Sequence, residues 1–140
     1  MTPSTKHPIS VKGVVINAGK IVLLKNERDE WELPGGRLES GEEPPRCLAR
    51  EIAEELSVSV TVGPFLDAWE YEVLPGRHVR IVAYGTVPLS HATFTLSHEH
   101  KALGQFELEA IDALPMPEGY KRSIYNWVRQ LAGNESTLKR

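Results

Sequence analysis

Residues 44–56, Pro-Pro-Arg-Cys-Leu-Ala-Arg-Glu-Ile-Ala-Glu-Glu-Leu, constrain this 140-residue chain more than any other stretch. Placed on a helix at about 100° per residue, Glu51, Glu54 and Glu55 share an arc roughly 100° wide. Leu48, Ala49, Ile52, Ala53 and Leu56 fall on the opposite side. Such a helix must dock its apolar stripe on another layer and leave its carboxylates projecting. Glu42 and Glu43 suit its positive N-terminus, and prolines are tolerated in its first turn.

The remaining pattern supplies the layer it docks on. Residues 9–17 and 20–26 are β-branched-rich runs around Ala18-Gly19 and predict a hairpin. Residues 58–62 and 65–74 predict strands separated by a bend at Gly63-Pro64. The second of these should pair with 78–88 across Pro75-Gly76. Residues 103–110 predict a shorter strand. Glu118–Ala132 predicts a second helix, with Ile124, Trp127, Val128 and Leu131 on one face and Gly133 as its cap. The expected fold is one α/β domain over residues 1–140, a mixed β-sheet with helices packed on it. Polar residues 1–8 and 133–140 read as loose ends.

Composition narrows the function. A net charge of −3 is not that of a general nucleic-acid binder, so no nucleic-acid polymer is expected as a partner. Apolar runs such as Ile21–Leu24 are far too short to span a bilayer, and the N-terminus has no apolar signal core. One cysteine, Cys47, excludes an internal disulfide and a cysteine-rich zinc site. A cytoplasmic protein with no membrane partner is the expectation.

The three-glutamate arc carries a cost of roughly 0.2–0.5 kcal/mol per like-charge pair. No lysine lies at matching spacing on that face; Arg50, at its edge, neutralises part of it. A bound divalent cation would remove the repulsion, and oxygen ligands alone favour Mg²⁺ or Mn²⁺ over zinc. A solvated acidic face is the bland alternative. Gly35-Gly36 just upstream frees the backbone for close approach to a ligand or ion, although the pair could equally be a plain turn.

Taken together, Gly36, Glu42, Arg50, Glu51, Ile52, Glu54, Glu55 and Val58 resemble the Nudix hydrolase box, residue by residue at its spacing. Trp31-x-Leu33-Pro34-Gly35-Gly36 and Gly41-Glu42 extend the likeness. One position departs: the box glycine before Val58 is Ser57, which costs about 1 kcal/mol if it must be left-handed. The resemblance implies an α/β/α sandwich with a mixed sheet. It also implies metal-dependent hydrolysis of a diphosphate linkage in a nucleoside diphosphate derivative or a nucleoside triphosphate. The ion would be Mg²⁺ or Mn²⁺, held by Glu51, Glu54, Glu55 and the Gly36 carbonyl. Arg50 would orient a box glutamate, and Glu42 would reach a metal through water or pair with Arg50. The general base would be a box glutamate, Glu51 or Glu54 among them, or Glu99 in the segment Ser97-His98-Glu99-His100. His98 and His100 are weak ligand candidates, because His-x-His alone is a poor signal.

Substrate contacts are less legible. Arg37 and Arg77, with Arg80, could grip phosphates. Trp31, or Trp69, Tyr71 and Phe65, could stack a base. The partner expected is a small nucleotide or diphosphate, and the resemblance allows a homodimer. The other readings are a nucleotide-sensing Nudix-fold module without turnover, in which box glutamates would be lost, and an acidic domain with no site. All four box glutamates are present.

Overall fold

The structure is a computed structural model that describes residues 8–89 and 102–138, with side chains through Gly133. In chain order the elements are β1 (Ile9–Val14), β2 (Ile16–Asn17), β3 (Lys20–Lys25), β4 (Trp31–Glu32), β5 (Gly35–Arg37) and α1 (Pro44–Leu56). There follow β6 (Val60–Leu74), β7 (Arg77–Pro88), β8 (Ala102–Phe106), a 3₁₀ turn (Leu108–Ala113) and α2 (Glu118–Leu138).

One sheet runs β5-β1-β7-β6. β1 is parallel to β7 and antiparallel to β5, so the sheet is mixed. A second sheet orders β2-β3-β4, with β8 antiparallel to β3. Two cores lie on the two faces. On one, Cys47, Leu48, Ile52 and Leu56 of α1 pack on Val11, Val15, Val22 and Leu24. On the other, Tyr120, Ile124 and Trp127 of α2 pack on Val14, Ile21, Leu23, Leu33 and Ile81. The architecture is therefore the helix–sheet–helix sandwich expected.

Four local expectations change. The hairpin expected over 9–26 shrinks to the pair Ile16↔Ile21 and Asn17↔Lys20, and β1 crosses to the other sheet. Val11 and Val14 are fully buried on opposite faces, so β1 gains more as a central strand than as one arm of a hairpin. The bend at Gly63-Pro64 is a register irregularity inside one long strand, β6, and not a break. β6 is an edge strand, where a proline is tolerated. The strand expected over 103–110 stops at Phe106, and the 3₁₀ turn that follows buries Ile111. Gly133 does not end α2, which runs to Leu138. One helical glycine costs about 1 kcal/mol, and no proline follows to stop the helix. Among the described residues no helix is long and apolar enough to cross a membrane.

Candidate active site

α1 begins with Pro44 and Pro45 in its first turn and leaves through Ser57, whose φ of 59° and ψ of 34° are left-handed. The Ser57 N–H donates to the Ala53 carbonyl at 3.0 Å. Serine thus accepts the conformation that the box glycine would take freely, and the exit from the helix is kept.

The acidic arc divides. Glu55 does not project with its neighbours: it is 5% exposed, and its Oε1 accepts the Gly35 N–H at 2.9 Å. Ala53, expected on the apolar side, is exposed. The helix is therefore rolled so that one carboxylate leans beneath Gly35 and Gly36, which are part of strand β5 and not a plain turn. Burying a carboxylate is unfavourable without such a donor. Glu51 lies against Gly36 so closely that a Cβ on that glycine would collide with its carboxyl group. Gly35 is held just as tightly, at φ +146°, with its missing Cβ directed onto the Val11 carbonyl oxygen. Both glycines are thus required by close approach, Gly35 to the β1 backbone and Gly36 to the Glu51 side chain.

Arg50 ties the remaining acids together. Its Nε and Nη2 donate to the two Glu42 carboxylate oxygens at 2.8 and 3.0 Å, a bidentate fork. Nη1 reaches Glu51 at 3.3 Å and Glu54 at 3.2 Å. Hydrogen bonding to Arg50 lowers the Glu42 pKa below its ordinary value, helped by the Glu39 N–H. The same contacts raise the pKa of Arg50, Glu42 contributing most. Cys47 is buried beside this cluster, and desolvation pushes its thiol up to about 11, so it is no nucleophile at neutral pH.

Lys12 is a site residue that sequence reasoning does not pick out. It is 8% exposed on β1, opposite Gly35, with its ammonium 3.9 Å from Glu32. Desolvation works to lower its pKa. Tyr120, Glu32, Glu55 and Glu51 outweigh it and raise the value to about 12. The available signal was a lysine inside a strand of otherwise apolar or small residues. From Glu32 a polar chain continues through Asn26, whose Nδ2 donates to Glu32 Oε1 at 3.2 Å. Asn26 Oδ1 also accepts the N–H groups of Arg28 and Glu30, and the Tyr71 hydroxyl donates to Glu30 at 2.6 Å.

The other candidates are placed as follows. Arg37 and Arg77 line one groove of about 650 Å³, together with Arg28 and His78. Trp31 is apart from them: its ring meets Phe106 edge-on at 4.8 Å, and Lys25 sits 5.2 Å over it. Trp69 packs on Tyr71 and Tyr120, and Phe65 on Tyr84. Arg80 is paired with Glu70 at 3.2 Å. Glu99, His98 and His100 lie outside the described residues.

Among the described residues no three acidic or imidazole side chains converge as a ready metal cage. The donor chemistry nevertheless fits a hard divalent cation. Glu51 and Glu55 both lean on the Gly35-Gly36 stretch of β5, and the candidate ligands among the described residues are all oxygens.

The comparisons with known proteins agree with this geometry. The NUDIX domain family model matches residues 6–128. The CTP pyrophosphohydrolase of Escherichia coli is 36% identical over 98 residues, covering 66% of this chain and 70% of that protein. The putative 8-oxo-dGTP diphosphatase 2 of Mycobacterium tuberculosis is 37% identical over 142 residues, 96% of this chain and 97% of that protein. In three dimensions the E. coli ORF135 protein superposes with a TM-score of 0.73 at 28% identity, covering 94% of this chain and 97% of its own. A box that keeps every glutamate, in a fold shared over almost its whole length, places this chain among the Nudix hydrolases, enzymes that act on nucleotide derivatives.

Proposed function

We propose that the chain is a Mg²⁺- or Mn²⁺-dependent pyrophosphohydrolase that cleaves a phosphoric anhydride of a nucleoside triphosphate or a nucleoside diphosphate derivative. The observation that carries this reading is the seating of Glu51 and Glu55 against Gly36 and Gly35, which gathers two carboxylates beside a backbone free of side chains. The named activities of the relatives, on CTP and on 8-oxo-dGTP, favour triphosphates within that class.

In this reading Glu51, Glu54, Glu55 and the Gly36 carbonyl hold the cation. When bound, it neutralises phosphate charge and acidifies the attacking water. Arg50 is a positioning residue: through Glu42 it is anchored to the loop before α1, and from there it restrains Glu51 and Glu54. The intact set of box glutamates favours turnover over sensing. A panel of nucleoside triphosphates and nucleotide sugars, incubated with Mg²⁺, should release a nucleoside monophosphate from at least one of them. Tight binding without products would favour the sensing module.

The proton acceptor is Glu99 or a box carboxylate, and Glu99→Gln separates the two. If Glu99 is the base, kcat falls by roughly 10²–10⁴-fold with metal affinity unchanged. If the base lies in the box, the loss stays under about tenfold. The comparison belongs at about pH 8.5, where an unperturbed histidine is neutral. A wild-type rate there removes Glu99 from the mechanism.

A further inference from the structure

Lys12 puts a charge where the rest of β1 builds core. It is 8% exposed, on a strand whose Val11 and Val14 are fully buried. Side chains alternate along a strand, so Lys12 shares the face of Val14, which packs under α2. Val11 and Val15 face α1 on the other side. The ammonium lies 3.9 Å from Glu32, an ion pair longer than a hydrogen bond. Glu32 is itself tied down by Asn26, whose Nδ2 donates to its Oε1 at 3.2 Å. Burying an ammonium is unfavourable unless carboxylates compensate it, and a stretched pair with a tethered carboxylate compensates it only in part. Against desolvation, Tyr120, Glu32, Glu55 and Glu51 together keep Lys12 charged.

The backbone explains how two glutamates of α1 act on a lysine of β1. In the β1–β5 ladder Lys12 pairs with Gly35 and Val11 with Gly36. Those glycines are the residues on which α1 rests its carboxylates, Glu55 through the Gly35 N–H and Glu51 by close packing on Gly36. Ammonium and carboxylates thus flank one short piece of ladder. β5 places no side chain between them, because both positions are glycine. In a low-dielectric interior, charges so placed act on one another without touching. The attraction is reciprocal: the ammonium steadies two carboxylates on a helix face where like charges repel. A divalent cation held by Glu51 and Glu55 would do the same, and would meet the repulsion of the ammonium as it bound.

We propose that Lys12 is the built-in counter-cation of the α1 carboxylates. It is a positioning residue that steadies Glu51 and Glu55 before a divalent ion arrives and loosens the hold on that ion afterwards. The assignment rests on the metal-dependent reading of α1, and its test has one arm that does not. In that arm melting is followed in EDTA. Lys12→Met should lower the melting temperature by about 10 °C or more, as expected for buried carboxylates left without their cation. Glu55→Gln should lower the melting temperature of wild type slightly, yet raise that of Lys12→Met, so that the two changes are not additive. Lys20→Met removes an equal charge from an exposed pair with Glu107 and should match wild type.

The second arm measures Mn²⁺ binding from the electron paramagnetic resonance of the free ion. Lys12→Met should bind Mn²⁺ about 10–100-fold more tightly than wild type, and Lys20→Met should match wild type. Mn²⁺ should also raise the melting temperature of Lys12→Met more than that of wild type. A lysine that only shapes the site predicts the opposite sign, because its loss would weaken metal binding. Equal or weaker Mn²⁺ binding in Lys12→Met overturns the proposal, and so do additive melting shifts for Lys12→Met and Glu55→Gln. If Lys12→Met is unfolded in EDTA, either Mn²⁺ or the added Glu55→Gln change should refold it, and failure of both overturns the proposal as well. Non-additive melting in a chain that binds no Mn²⁺ would retain the counter-cation and refute the metal-dependent reading.

Discussion

Glu51→Gln and Glu55→Gln should each lower kcat by more than about 10²-fold, beyond the range typical of groups that only support a metal ligand. The fold should survive both. Glutamine at 55 keeps a carbonyl oxygen to accept the Gly35 N–H, now made at 2.9 Å by Glu55 Oε1. Glutamine at 51 removes one of the three carboxylates that share Arg50, leaving Glu42 and Glu54. Relief of like-charge repulsion on the helix, about 0.2–0.5 kcal/mol per pair, partly offsets the lost attraction to buried Lys12, so both variants should still melt cooperatively as folded proteins. Turnover measured beside a melting curve separates the two quantities. Near-normal turnover in both variants would mean that α1 does not carry the chemistry.

The adjacent glycines should fail in opposite ways. Gly35→Ala places a methyl against the Val11 carbonyl oxygen, with the Lys12 Cα at 2.9 Å and the Val11 carbonyl carbon at 3.0 Å. All three are backbone atoms of a central strand, and φ is +146°. Neither the contact nor the strain can be relieved cheaply, so the loss should be about 3 kcal/mol or more. Gly36→Ala instead meets the carboxyl end of Glu51, a flexible side chain that can swing aside. Its stability should fall by less than about 1 kcal/mol, while its activity falls more than about tenfold because Glu51 has left its place against β5. Chemical denaturation and initial rates on both variants check the contrast. A fully active Gly36→Ala would break the link between activity and the seating of Glu51 against Gly36.

These contrasts also show what a linear reading can and cannot reach. The box residues lie within one local run, so helical spacing alone brings Glu51, Glu54 and Arg50 to neighbouring positions. The roll of α1 that buries Glu55 is not in that spacing, because it is set by the Gly35 N–H arriving from β5. Ser57 could be flagged as a departure, and its left-handed geometry follows from the need to leave the helix for β6. The error over β1 has a different origin. A strand buried on both faces looks the same whether its partner is next in sequence or is β7, about 70 residues away. The groove was out of reach for a similar reason. Arg37 and Arg77 are individually visible, but their meeting with Arg28 depends on how stretches far apart in the chain line one groove. Lys12 was hidden by its setting in a strand that otherwise reads as core.

The most direct test of the proposed chemistry is the release of nucleoside monophosphate from CTP, followed by ion-exchange chromatography. Excess EDTA should abolish release from the wild-type chain, and Mg²⁺ added beyond the chelator should restore it. The Glu51→Gln and Glu55→Gln variants should stay nearly inactive under both conditions. Full hydrolysis after exhaustive chelation, or wild-type rates in both variants with Mg²⁺ present, would contradict a metal site on α1.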